Sequence, residues 1–325
     1  MKIARSLYTA VACVVIAATS LAEEPKTKTT TKTTTYIYKT VGKLPIKLDV
    51  VRADDDVRRS VVVWIHGGAL INGHRAGISG RVRQMMLEAG YAIVSIDYRL
   101  APETRLPEII ADVEDAFAWI RKEGPSRFNV DVGRIAVMGG SAGGCLTLTA
   151  GYRVKPSPTV LVSFWGYGDL IGDWYSKPSP HPRHHRSKLT EAEAYRQVGG
   201  PPIADSRDRR GDGGAFYQFC RQRGIWPKAV TGWDPSTEAE KFYPYMAVKN
   251  VTKDYPPTLL IHGDKDTDVP YEQSVMMAKQ FKKHSVEHRL ITIQGGEHGL
   301  GGGDPKRIDE AYKAALEFVN RQMKR

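Results

Sequence analysis

The sequence predicts an α/β protein with a mostly parallel sheet covered by helices on both faces. Three observations carry that expectation: short apolar strands alternate with segments of helical periodicity along most of the chain, the residues with chemical character follow strand ends, and 325 residues with 41% hydrophobic content can bury one large core. The alternation lapses once, between about residues 166 and 256, and that segment is expected to form an inserted cap.

In chain order, residues 46–51 and 61–65 read as strands, 78–89 as a helix and 92–96 as a strand. Leu106, Ile109, Ile110, Val113, Ala116, Phe117 and Ile120 recur at helical spacing, giving an amphipathic helix expected to end near Gly124-Pro125. A strand over 134–138, a helix over 142–150 and a strand over 159–164 follow. After the interruption come a strand over 258–262, a helix over 271–284, a strand over 290–293 and a helix over 311–319. Residues 166–256 are rich in Pro, Gly, Trp, His and Arg and too long for a plain loop; 192–198 and 216–223 are their expected helices.

The N-terminus has the pattern of an export signal. Lys2 and Arg5 precede an apolar stretch from Leu7 to Ala18, and Ser20-Leu21-Ala22 supplies small residues for cleavage after Ala22. The stretch falls short of the roughly 20 residues a bilayer span requires, so removal of residues 1–22, a secreted or periplasmic product and no stable membrane insertion are expected. Cleavage removes one lysine and one arginine, lowering the formal charge from +11 to +9. The remaining basic residues are scattered among carboxylates without a nucleic-acid signature, which disfavours a nucleic-acid partner. Residues 23–35, including KTKTTTKTTT, are polar without an apolar face and are expected to form a Thr/Lys-rich linker, the folded body beginning at Tyr36. Cys145 and Cys220 are expected to be buried thiols.

The most informative local pattern is Gly139-Gly140-Ser141-Ala142-Gly143, between an apolar strand and an apolar helix. It is the G-x-S-x-G arrangement that holds a serine on a sharp, strained turn, with glycines two residues away on either side removing Cβ atoms that would collide. Ser141 is the candidate nucleophile. His66-Gly67-Gly68-Ala69 follows the strand 61–65, where glycines let backbone N–H groups face inward; Gly67, Gly68 and Ala142 are the candidate oxyanion donors. Where the serine sits on such an elbow, the base and its acid follow it in chain order, and His298, in Gly295-Gly296-Glu297-His298-Gly299 after the strand 290–293, meets that requirement. Residues 262–270, HGDKDTDVP, offer three carboxylates, Asp264, Asp266 and Asp268, as the acid behind the histidine, with Asp169 and Asp173 more distant; chemistry alone leaves the choice open. His181, His184 and His185 lie among arginines and prolines without a carboxylate or cysteine at ligand spacing, so no metal is expected, and the proposed chemistry needs no cofactor. Trp165, Tyr167, Trp174, Phe216, Tyr217 and Trp226 are expected as walls of the cap and of an acyl or alcohol pocket.

From about Val61 to the C-terminus the chain resembles the esterase and lipase branch of the α/β-hydrolases, including hormone-sensitive-lipase-like and acetyl-esterase-like bacterial enzymes. The resemblance rests on HGGA at 66–69, DYRLAPE at 97–103, GGSAGG at 139–144, HGDKDTDVP at 262–270 and EHG at 297–299. It implies the α/β-hydrolase fold and selects Asp266 as the acid, the aspartate three residues before Val-Pro. It also gives Asp97 and Arg99, with His66 of the loop motif, a supporting role. Ala69 departs from the glycine that commonly fills the fourth position of that loop. The expected activity is hydrolysis of short carboxylic esters, including acetyl esters of carbohydrate, through an acyl-enzyme. A peptidase or amidase, or a non-catalytic binding protein on the same scaffold, is the alternative.

Overall fold

A computed structural model describes residues 30–324. The expected signal peptide and residues 23–29 of the expected linker lie outside the described residues. Eight strands form one sheet in the order β1-β2-β4-β3-β5-β6-β7-β8. They are β1 (Thr31–Val41), β2 (Leu44–Ala53), β3 (Arg59–Ile65), β4 (Ala92–Ile96), β5 (Val130–Gly140), β6 (Val160–Phe164), β7 (Thr258–Gly263) and β8 (His288–Ile293). β1 and β2 form an antiparallel hairpin, β2 meets β4 antiparallel, and every pairing from β4 to β8 is parallel.

The helices are α1 (Gly80–Glu88), α2 (Leu106–Phe128), α3 (Ala142–Arg153), α4 (Asp173–Ser176), α5 (Glu191–Tyr195), α6 (Gly214–Arg223), α7 (Trp226–Thr231), α8 (Ala239–Phe242), α9 (Glu272–Lys283) and α10 (Pro305–Met323). Successive strand side chains point to opposite faces. Val61, Val63 and Ile65 accordingly join a core built with α2, α3 and α9, while Val62 and Trp64 join a second core with α1 and α10. Both faces of the central strands are therefore apolar, as a sheet sandwiched between helices requires. No helix among the described residues is long and apolar enough to cross a membrane.

Two expectations need correction. Residues 31–35, assigned to the linker, are the first half of β1: Thr31 pairs with Ala53 and Thr35 with Asp49, whose Oδ1 accepts the Thr35 hydroxyl at 2.6 Å. β-Branched threonine suits an extended strand, and this outer strand is solvated here, so it carries no apolar alternation to betray it. The helix expected to stop near Gly124-Pro125 continues to Phe128 and ends at Asn129, which adopts the left-handed conformation with φ 50° and ψ 57°. The residue before a proline is pushed out of the helical region partly by its own Cβ, and Gly124 has none.

Between β6 and β7 run residues 165–257, carrying α4 to α8. Their interior is aromatic: Tyr167, Tyr175, Phe216, Trp226 and Phe242 are fully buried, and Tyr175 stacks on Trp226 with ring centroids 3.9 Å apart. The Trp226 indole N–H donates to the Ala69 carbonyl at 3.0 Å, joining the insertion to the loop after β3. Arg209 reinforces the joint by pairing with Glu103 and donating to the carbonyls of Ile71 and Ala101.

Candidate active site

β5 ends at Gly140 and α3 begins at Ala142, leaving Ser141 alone at the junction with φ 57° and ψ −123°. For an L-residue this conformation is strained, and strain of this kind persists only where the surroundings fix it. They do so through backbone contact: a Cβ on Gly139 would strike the Gly143 and Ile65 carbonyls, and one on Gly143 those of Ile65 and His66. Glycine is thus required at both flanks for the strand, the turn and the helix to approach β3.

The side chains expected to cooperate are brought together. His298 Nε2 lies 3.1 Å from Ser141 Oγ, and His298 Nδ1 lies 2.8 Å from Asp266 Oδ2. A carboxylate can only accept, so Nδ1 carries the proton and Nε2 offers its lone pair to the serine hydroxyl. Asp266 is fixed in turn, its Oδ1 accepting the N–H groups of Asp268 at 2.8 Å and Val269 at 2.9 Å. His262 Nε2 stands 3.2 Å from Oδ2. Burial would raise the Asp266 pKa, but the hydrogen bonds and charge of His262 and His298 outweigh it and hold it down at about 2.

The other two carboxylates of the loop have different partners. Asp264 Oδ1 accepts the Gly295 N–H at 2.7 Å, pinning the histidine loop. Asp268, expected as a possible turn residue, is buried and faces the insertion: its Oδ1 accepts the Tyr217 hydroxyl at 2.5 Å and the Arg221 Nη1 at 3.2 Å. Its chemistry was not apparent from the sequence because the partners lie in a segment without periodicity. Glu297, known there only as part of a short motif, ties the loops together by accepting the Thr267 hydroxyl at 2.6 Å, the His298 N–H at 3.0 Å and Arg183 Nη1 at 3.1 Å. Asp169 and Asp173 stay apart from the histidine: Asp169 caps the Ile171 N–H, and Asp173 pairs with Lys177.

The loop after β3 lies against the turn that carries Ser141. A Cβ on Gly67 would come within 2.7 Å of the Gly140 carbonyl and 3.3 Å of Ser141 Cβ, so this glycine abuts Ser141. Gly68 has φ 109°, and Ala69 and Leu70 have φ 55° and 63°. Three consecutive left-handed residues turn the loop inward, and the alanine at the fourth position adopts a conformation glycine would take more readily. Ala142 N–H belongs to the first turn of α3, whose donors have no acceptor within the helix.

The supporting residues lie behind this loop. The His66 ring stacks on Tyr98 with centroids 4.2 Å apart, and its Nδ1 donates to the Gly67 carbonyl at 2.8 Å. Burial lowers its pKa to about 4, which keeps the ring neutral. Asp97 accepts Arg75 N at 2.6 Å and Arg75 Nη1 at 2.7 Å; burial nonetheless raises its pKa to about 6. Arg99 holds Asp112 of α2 through Nε at 2.7 Å and Nη2 at 2.9 Å.

Of the expected aromatic walls, Tyr167, Phe216 and Trp226 are fully buried and form the interior of the insertion, whereas Trp165, Trp174 and Tyr217 are partly exposed. Trp165 follows β6 with φ 37°, lies edge-on to His298 with centroids 6.2 Å apart, and packs against Gly140. The histidines at 181–185 are engaged locally: His184 Nδ1 meets Gln218 Oε1 at 2.9 Å and His185 Nε2 meets the Ser179 carbonyl at 2.6 Å.

Solved structures share this fold. An α/β-hydrolase superfamily protein from Enterococcus faecalis superposes with a TM-score of 0.69 at 19% identity, covering 90% of this chain and 99% of that one. The chain has the α/β-hydrolase fold. A carbohydrate esterase from gut microbiota superposes with a TM-score of 0.67 at 21% identity, over 92% of this chain and 99% of that one. The acetyl ester-xyloside bifunctional hydrolase of Caldicellulosiruptor lactoaceticus gives 0.65 at 19% identity, over 89% and 96%. The BD-FAE family model matches residues 48–158 of the chain, and that of the prolyl oligopeptidase family matches residues 218–325. Esterase LipC of Mycobacterium tuberculosis is 27% identical over 84% of the chain, and the polyketide synthase atr1 of Stereocaulon alpinum 32% identical over 87%. The chain spans 61% of the length of the first relative and 13% of the second.

Proposed function

We propose that this protein cleaves short-chain carboxylic esters, acetyl esters of carbohydrate among them, through an acyl-enzyme on Ser141. The observation that carries the reading is the continuous relay from Ser141 Oγ through His298 to Asp266, with both links at hydrogen-bond distance. In the proposed cycle His298 Nε2 takes the serine proton as Oγ attacks the ester carbonyl, and the N–H groups of Gly67, Gly68 and Ala142 receive the oxyanion. The imidazolium then protonates the departing alcohol. Water, deprotonated by the same nitrogen, releases the acid. The carbohydrate part of the reading is supported by the half-exposed Trp165 beside His298, a flat apolar surface of the kind a sugar ring packs on, and by the two carbohydrate-active structural neighbours. Release of acetate from acetylated xylan by the purified protein tests it; hydrolysis of p-nitrophenyl acetate without any release from acetylated saccharides would remove the carbohydrate assignment.

Acyl length should be restricted. The largest aromatics of the insertion, Tyr167, Tyr175, Phe216, Trp226 and Phe242, are buried in its own interior, which limits the apolar surface they can offer a long acyl chain. In a series of p-nitrophenyl esters kcat/KM is expected to peak between two and four acyl carbons, since each added methylene helps only while it can be buried. A maximum at ten carbons or more would contradict the restricted pocket.

The oxyanion assignment makes a separate prediction. Gly67→Ala places a methyl against the Gly140 carbonyl and the nucleophile itself, so either the loop or the elbow must move. A loss of about 10² or more in kcat is expected, the scale of one misplaced oxyanion donor. Wild-type turnover in a variant of normal thermal stability would show that the loop does not serve this purpose.

The match of residues 218–325 to the prolyl oligopeptidase family supports a second reading, cleavage of an amide by the same triad. Parallel assays on p-nitrophenyl acetate and on p-nitroanilide peptides separate the two; kcat/KM higher on the anilides favours the peptidase.

A further inference from the structure

The catalytic histidine stands between two carboxylates. Asp266 Oδ2 holds Nδ1 at 2.8 Å, and on the opposite edge of the ring Asp268 Oδ2 lies 3.7 Å from Nε2, the atom that exchanges protons with Ser141. The two oxygens of Asp268 face different ways. Oδ1 takes donors from the insertion: Tyr217 Oη at 2.5 Å and Arg221 Nη1 at 3.2 Å, one turn apart on α6, with His184 Nε2 3.3 Å away. Arg221 Nη1 also donates to the Asp268 carbonyl at 2.8 Å, and its guanidinium lies 4.9 Å from the Tyr175 ring centroid in the interior of the insertion. Oδ2 is left with His298 Nε2 and, 3.6 Å away, Arg183 Nη2, whose other nitrogen pairs with Glu297.

We propose that Asp268 is a positioning residue for His298, one oxygen clamping residues 165–257 onto the acid loop while the other places negative charge beside the edge of the imidazole that becomes protonated. The inference rests on the ester-hydrolase reading above.

Its physical logic lies in when the interaction becomes favourable. In the resting enzyme Nε2 presents a lone pair, which a carboxylate oxygen does not attract, and Ser141 at 3.1 Å holds the closer position. Once the serine proton arrives, the ring is cationic and the same oxygen stabilises it. An interaction stronger after proton transfer than before it raises kcat without tightening substrate binding. A carboxylate of ordinary basicity in this place would compete for the proton that the leaving alcohol needs. Burial alone would raise the basicity of Asp268, but His184, His298, Arg221 and Tyr217 together hold its carboxyl well below the usual carboxylate range. It therefore stays anionic and does not compete for the proton, while Arg183 tempers the charge of Oδ2.

The groups facing this pair are Asp266 and Glu297 from the catalytic loops and Arg183, His184, Tyr217 and Arg221 from the insertion, so charge and clamping can be separated by substitution. Asp268→Asn keeps the shape and one acceptor oxygen; Tyr217→Phe keeps the carboxylate and removes one clamp. On p-nitrophenyl acetate, Asp268→Asn should lose about tenfold in kcat with KM changed less than twofold, and the acid limb of its kcat/KM profile should move to lower pH by roughly one unit, because a base without its neighbouring anion protonates less readily. Tyr217→Phe should lower the unfolding temperature and leave the limb where it is. Arg183→Gln, at a half-exposed site, removes the competing cation and should move the limb to higher pH. That variant keeps the test open if Asp268→Asn does not fold.

An unmoved limb in both Asp268→Asn and Arg183→Gln overturns the proposal and leaves Asp268 as a clamp only; an unmoved limb in Arg183→Gln alone does so where Asp268→Asn cannot be obtained. Absence of esterase turnover in the wild-type protein counts against the function proposed above. In that event ¹⁵N-histidine NMR of wild type and Arg183→Gln reads the titration of His298 directly, and identical titration curves would overturn the inference.

Discussion

Ser141→Ala is expected to lower kcat on any ester that the wild type hydrolyses by about 10⁶-fold, the loss found when a triad nucleophile is removed. The fold should survive. The serine side chain adds only a hydroxyl to the alanine skeleton, its N–H still reaches the Phe164 carbonyl at 3.0 Å, and the strained φ of 57° is held by backbone contacts on both flanks. Alanine tolerates that conformation no better than serine, so a change in unfolding temperature of only a few degrees is expected. Circular dichroism and thermal unfolding check the fold, and electrospray mass spectrometry after exposure to a phosphonate ester checks the nucleophile, since wild type should gain one adduct and the variant none. Esterase turnover in Ser141→Ala within tenfold of wild type would place the nucleophile elsewhere. So would an adduct on the variant.

Much of this site was legible because its chemistry demands particular residues at particular spacings. Gly139 and Gly143 can be read as an elbow because a Cβ at either position would strike the backbone of β3, and the two glycines after His66 can be read as a loop that must approach the serine. The strand over 92–96 was legible because all five of its residues are buried, leaving an apolar run broken only by Ser95. Thr31 to Thr35 were not, since an outer strand of β-branched polar residues looks like a linker until its partner is known. Asp268 was the most obscure. Its partners Arg221 and Arg183 precede it by 47 and 85 residues in a segment whose helices are short, and nothing local distinguishes it from the aspartates on either side. The resemblance that picked out Asp266 as the candidate acid said nothing of the neighbour.

Asp266→Asn should be the most damaging change among the three carboxylates of that loop, with a loss of about 10⁴-fold in kcat. The reason is a mismatch of donors. One oxygen of Asp266 is committed to the N–H groups of Asp268 and Val269, so the single oxygen of asparagine stays there and its NH₂ group faces His298 Nδ1 and His262 Nε2. His262 Nε2 already donates to the Val269 carbonyl at 3.0 Å and cannot accept. His298 can accept only by moving its proton to Nε2, and in that tautomer it points a donor at Ser141 Oγ and can no longer take the serine proton. Asp264→Asn meets no such conflict: asparagine offers the Gly295 N–H the same carbonyl oxygen, and less than a twofold change is expected. Asp268→Asn should fall between, near tenfold. Measuring kcat for the three variants on one ester at one pH above the acid limb, each checked for an intact thermal transition, gives the order Asp266, then Asp268, then Asp264. If Asp268→Asn or Asp264→Asn proved as severe as Asp266→Asn, the carboxylate behind His298 would have to be reassigned.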